Sequence, residues 1–90
     1  FPNPFFSEAQ RNAATVIRFA LPRPEEISLT IYNQLGQKIR TISTGRLAAG
    51  LHERAWDGRD TLGAKVASGI YFYRLQAGQQ TKIQKLIVIR

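Results

Sequence analysis

The sequence predicts an all-β fold, a small antiparallel sandwich of about seven strands. Three observations predict it. Apolar and polar residues alternate with period two in several short segments. Turn chemistry built from Gly, Pro, Asn and Asp returns about every ten residues. Finally, the stretch 56–75 runs from the lone tryptophan through a loop dense in Asp and Gly into the most aromatic segment of the chain. Strand, glycine-rich loop, strand is the grammar of an antiparallel domain. Nothing in that stretch resembles a nucleophile with a base beside it.

The bulk properties set the limits. Ninety residues make one small domain, and a chain of this size buries only roughly 60–65% of the surface its unfolded form exposes. There is no cysteine, so no disulfide or thiolate-bound metal supports the core; packing must hold it, and 43% hydrophobic content allows that. The formal charge is +7, with nine Arg among thirteen basic residues. Basic charge points toward anionic partners. Here, however, the charges are spread from Arg11 to Arg90 and no two basic residues adjoin. A solvated sandwich surface is therefore the reading, and nucleic acid is not an expected partner. No segment approaches ~18 consecutive apolar residues, so no membrane insertion is expected. The chain opens Phe1-Pro2-Asn3-Pro4 rather than with Met and a charged leader, which reads as a piece of a longer protein with its targeting signal upstream.

The elements follow in order. Residues 1–13 form an entry segment: Pro2 and Pro4 exclude a helix at its start, and Phe1, Phe5 and Phe6 are expected to lay rings across the end of the core. Ser7 and the polar residues up to 13 read as a loop or one helical turn. The sandwich proper is expected over 14–90. In 14–21, Thr15, Ile17, Phe19 and Leu21 share one face, and Pro22 and Pro24 end the strand. In 25–33, Ile27, Leu29 and Ile31 point inward, while Ser28, Thr30 and Tyr32 point outward. Asn33-Gln34-Leu35-Gly36 is a tight turn, and 37–43 returns as a third strand around Ile39 and Ile42. Residues 44–50 read as a connection marked by Gly45 and Gly50. The short strand 51–56 puts His52, Arg54 and Trp56 on one face. After the central loop, with Val66 as an apolar plug, 70–77 sets Tyr71, Tyr73 and Leu75 against Ile70, Phe72 and Arg74, the mark of a central strand or of one covered by a neighbour. Residues 82–89 close the fold. A two-residue Gly78-Gln79 loop would set Leu75 opposite Lys82 and Tyr73 opposite Gln84, mixing core with solvent. A loop of odd length or a bulge, pairing the tyrosines with Ile83, Lys85 and Ile87, is the expected register.

Several residue sets invite a chemical reading. Asp57, Asp60 and Gly63 lack the third acid and bidentate Glu of a calcium loop, and read as turn formers. His52 is the only histidine, which leaves no zinc ligand set. Glu25 and Glu26 are adjacent on a strand and point to opposite faces, so they cannot flank a glycosidic bond. Trp56, Tyr32, Tyr71 and Tyr73 could stack on a sugar, but core packing is the plainer role; Tyr32 is the best exposed candidate. No catalytic residue, metal site or cofactor is expected.

With Trp56-Asp57-Gly58, Ala67-Ser68-Gly69-Ile70-Tyr71 and Lys85-Leu86 in view, the chain resembles a known family. It is similar to the type A C-terminal sorting domain of type IX secretion substrates, in the version shaped like the immunoglobulin-like domain of the flagellar hook-capping protein. The likeness extends to Phe1-Pro2-Asn3-Pro4-Phe5, Thr15-Val16-Ile17-Arg18-Phe19, the hairpin Leu29 to Gln37 and Ala49-Gly50-Leu51-His52. The resemblance implies an immunoglobulin-like or fibronectin III-like sandwich at the C-terminus of an exported bacterial protein. It implies a monomer that passes the periplasm, meets an outer-membrane type IX translocon and a sortase-like peptidase, and brings a covalently attached upstream passenger to the cell surface or the medium. The recognition features it implies are Gly69, Tyr71, Lys85, Leu86, Ile87, Val88, Ile89 and Arg90. The alternative expectation is a structural accessory domain, a spacer or carbohydrate-contacting unit of an extracellular enzyme or of a hook-cap-like assembly protein.

Overall fold

The computed structural model describes residues 7–10 and 15–89. Seven strands form among them: β1 (Ser7–Gln10), β2 (Thr15–Leu21), β3 (Glu25–Asn33), β4 (Lys38–Leu47), β5 (Gly50–Trp56), β6 (Gly69–Ala77) and β7 (Gln80–Val88). They make two antiparallel sheets, β1-β2-β5 and β4-β3-β6-β7. The predicted all-β sandwich is the fold observed.

The core lies between the sheets and is built by alternation. β2 contributes Ile17, Phe19 and Leu21; β3 contributes Ile27, Leu29 and Ile31; β6 contributes Tyr71, Tyr73, Leu75 and Ala77. β5 and β7 add one residue each, Trp56 and Leu86. β6 sits between β3 and β7, so both its edges are paired, the central position that its two apolar faces predict. Val66 packs against the core from the central loop, as expected. The ring placement expected for Phe1, Phe5 and Phe6 lies outside the described residues.

Three readings need correction. The polar stretch at Ser7 is neither loop nor helical turn: Ser7–Gln10 pairs with β2, Ser7 opposite Phe19 and Gln10 opposite Val16. An edge strand held by main-chain bonds needs no apolar alternation to form. The supposed connection 44–50 is mostly strand, since β4 runs to Leu47 and β5 starts at Gly50. Gly45 sits inside β4 with φ of 120°, a conformation that glycine tolerates, and so it does not end the strand. β4 also shifts register twice against β3, between Leu29 and Thr30 and between Ile31 and Tyr32. The residues passed over are Ile42 and Ile39. These isoleucines stand three apart, out of step with a period of two, and the two bulges allow both to pack against the core.

The third correction is the final hairpin. Its turn is Gly78-Gln79, with Leu75 opposite Lys82, Tyr73 opposite Gln84 and Tyr71 opposite Leu86. Neither an odd-length loop nor a bulge occurs. Gly78 adopts φ of 59°, the left-handed geometry that a two-residue hairpin demands. Lys82 and Gln84 are half-buried, because β7 is the rim of the sandwich and not its middle. Their stems can cover the core while their polar ends reach water. A Cβ at Gly78 would also meet the carboxylate of Glu25. Gly78→Ala is therefore expected to cost about 1–3 kcal/mol, read as a lower urea midpoint, with Gly78→Asn losing less because Asn tolerates left-handed geometry.

Candidate functional site

The implied recognition residues fall into two groups, one structural and one exposed. The structural group surrounds the turn 67–71. Gly69 opens β6 opposite Val88 with φ of 155° and open space where a Cβ would stand, so backbone geometry and not crowding favours glycine there. Tyr71 is only 8% exposed. Its hydroxyl donates to the Ala67 carbonyl at 2.8 Å. Its ring meets Trp56 edge-on, centroids 5.7 Å apart at 67°. The Gly-x-Tyr spacing thus fixes how the central loop enters β6.

Trp56 stitches the other end of that loop, its indole N–H donating to the Arg59 carbonyl at 2.8 Å. Asp57 accepts the Arg59 N–H at 3.1 Å, and Asp60 accepts the N–H groups of Leu62 and Ala64 at 2.9 and 3.0 Å. The acids act as turn formers, as read from the sequence. Thr61 ties the loop to β4, donating its N–H and hydroxyl to the Ile39 carbonyl at 3.1 and 3.0 Å. His52 stays at the rim, bonded to the Ala48 carbonyl at 2.8 Å and stacked on Phe19 at 5.5 Å.

The exposed group lies on β7 and just beyond it. β7 is an edge strand that pairs with β6 through nine successive residue pairs without a bulge. Leu86 is buried and Val88 half-buried against the core, whereas Lys85, Ile87 and Ile89 are exposed. Ile83, which was not among the implied residues, is 61% exposed on the same face as Lys85 and Ile87. Arg90 lies outside the described residues. So the structure gathers Lys85, Ile87 and Ile83 on one face and places Leu86 and Tyr71, opposite each other in register, on the other.

A second feature adjoins this face. Tyr32 and Phe72 are direct cross-strand partners, and Phe72 in turn faces Lys85. With Arg74, Ile83 and the β3–β4 turn they line a groove of about 350 Å³. The turn is tight, the Gly36 N–H donating to the Asn33 carbonyl at 3.0 Å. On the other side of the turn, a hollow of about 230 Å³ is lined by Leu35, Ser68, Gly69, Ile70 and Tyr71. Alternation alone assigns Phe72 and Arg74 to the outer face. Bringing them to Tyr32 requires the β3–β6 register, which no local signal carries. Of the four rings once eligible for sugar stacking, Trp56, Tyr71 and Tyr73 are core, which leaves Tyr32.

Comparison with known proteins agrees with this architecture. The FlgD Ig-like domain family matches residues 6–81. The basal-body rod modification protein FlgD of Salmonella typhimurium is 38% identical over 47 residues, 52% of this chain and 20% of that protein. Its Escherichia coli (strain K12) counterpart is 36% identical over 53 residues, 59% of this chain and 23% of that protein. The chain thus spans less than a quarter of the length of these relatives. Among solved structures, dimeric latent PorU from Porphyromonas gingivalis superposes with a TM-score of 0.74 at 18% identity, over 94% of this chain and 9% of that one. FlgD from P. aeruginosa gives 0.66 at 22% identity, over 94% of this chain and 64% of that one. At such identities the two structures establish a shared fold.

Proposed function

The chain belongs to the FlgD Ig-like domain family, and from that premise we propose that it is a non-catalytic module of a longer exported protein, serving as its type IX C-terminal sorting domain. On this reading it directs an attached passenger across the bacterial outer membrane for release or anchoring. The observation that carries the proposal is the β7 edge. It is regular, pairs with β6 alone among the described strands, and ends in the run Leu86, Ile87, Val88 and Ile89 that begins beside Lys85. A translocon that must accept many passengers needs one constant surface to read. An edge strand offers one, through main-chain hydrogen bonds and side-chain pockets. Gly69 and Tyr71 serve this role indirectly, by fixing the turn from which β6 presents β7. The order of the sequence motifs from Phe1 to Arg90 supports the same reading.

The test fuses the chain to the C-terminus of a signal-bearing fluorescent reporter, in a type IX-competent bacterium and a type IX-deficient one. Reporter is expected at the surface or in the medium of the competent strain alone. Ile87→Glu combined with Lys85→Glu changes exposed positions only, and is expected to abolish most of that export without unfolding the domain. Equal export by the folded double variant would remove β7 as the recognised element. Periplasmic retention in both strains would favour a second reading, a structural module of an assembly protein. That reading draws on the identity with the FlgD proteins.

A further inference from the structure

We propose that the groove beside Tyr32 and Phe72 is a peptide-docking site, and that its occupant is an acidic segment bearing an aromatic or large aliphatic side chain. The site goes beyond the sorting reading and lies on the outer face of the four-stranded sheet. Two half-buried rings and the exposed Ile83 form its walls, and its volume of about 350 Å³ is at the small end of ligand sites. One aromatic side chain is the natural unit to fill it.

The charge around the groove selects the neighbour of that side chain. Arg74 lines it, Lys38 lies opposite Tyr32, and Lys85 lies opposite Phe72. The described carboxylates that form ion pairs do so elsewhere: Glu53 with Arg18, Glu25 with Arg23, and Asp57 with Arg40 and Arg59. Asp60 is occupied by its own loop. Among the described residues, no carboxylate pairs with Lys38, Arg74 or Lys85. Three cations around an apolar groove complement carboxylates flanking an apolar side chain. Arg74 gives one N–H to Gln76 Oε1 at 3.1 Å, and a guanidinium has donors to spare.

A sugar is the weaker fit. Stacking alone holds a ring loosely, and orientation needs free polar groups near the aromatic face. The amide of Asn33 at the rim is already committed: its Oδ1 accepts from Leu35 and Gln37, and its Nδ2 donates to Gln37 Oε1. The polar groups around the groove are mainly cations, which match the carboxylates of an acidic peptide better than the neutral hydroxyls of a sugar.

The experiment titrates the chain, labelled with nitrogen-15, with the acetylated pentapeptide Glu-Phe-Glu-Phe-Glu and, separately, with Lys-Phe-Lys-Phe-Lys. The acidic peptide is expected to bind saturably and to shift the amides of Tyr32, Phe72, Arg74 and Ile83, with affinity falling as salt rises. Ile83→Glu changes an exposed position and should weaken binding about tenfold or more. Arg74→Gln should weaken it about tenfold, the loss of one charge-assisted contact. Equal binding of the two peptides, absence of binding, or indifference to both variants overturns the proposal. So does binding of a hexasaccharide of glucose at these amides while the acidic peptide leaves them unmoved. None of these outcomes depends on whether the chain supports export.

Discussion

Trp56→Ala is expected to remove about 4–6 kcal/mol, roughly a third or more of what holds the fold. The indole is 1% exposed, the largest fully buried side chain. It is the one core residue that β5 supplies, so its removal takes away that strand's apolar hold on the opposite sheet and leaves the bond from Arg54 Nε–H to Ser43 Oγ at 3.2 Å. Deleting a buried aromatic costs about 3–5 kcal/mol. The Arg59 carbonyl loses its 2.8 Å donor as well, adding about 1 kcal/mol if water replaces it poorly. A chain of this length has only about 5–13 kcal/mol in total. Far-ultraviolet circular dichroism should show the urea transition moved to a much lower midpoint. Trp56→Phe keeps a ring against Tyr71 and should lose only about 1–3 kcal/mol. An alanine variant unfolding at the parental urea concentration would mean that the two sheets are held together elsewhere.

Leu86→Ala is the second large effect, and it is local before it is global. Leu86 is 3% exposed, while every other residue of β7 is half-buried or exposed. It is thus the strand's one deep anchor, seated opposite Tyr71. Its loss should cost about 2–5 kcal/mol. Because β7 is at an edge, that cost should appear first as detachment of the strand. Hydrogen exchange is the discriminating measurement: amides of β7 and their partners in β6 should lose protection while β2 and β3 keep theirs. Ile87→Ala, one residue along on the exposed face, should change stability by no more than about 0.5 kcal/mol. Uniform loss of protection across all strands in Leu86→Ala would show that β7 is no separate unit.

The contrast between these neighbouring residues also marks what could be read from the sequence. β2, β3 and β6 were legible because each has one face in the core, and burial imposes period two on their residues. Ser7–Gln10 carries no such signature, because main-chain pairing along an edge leaves little trace in side-chain type. β4 hides its period behind two bulges, so Ile39 and Ile42 looked like a short strand followed by a connection. The register of the last hairpin departs from the rule that apolar opposes apolar. That rule holds in the middle of a sheet, and Lys82 and Gln84 stand at its rim. At the site, the spacing of Gly69 and Tyr71 was visible as a motif. The bond from Tyr71 to the Ala67 carbonyl that gives the spacing its physical sense was not. The groove required three strands in register, beyond the reach of any single segment.

The unequal edges of the four-stranded sheet decide how many partners it can take. Copies adding head to tail would have to join the β7 edge of one molecule to the β4 edge of the next. β4 is interrupted twice by bulges, so it offers no matching ladder. Pairing of β7 with another β7 uses the outer edge of each and stops at two, and pairing with a foreign strand stops at one. The valence of this sheet is therefore one. Such a module can be crowded at high concentration and still terminate assembly where a two-edged sheet would propagate a fibre.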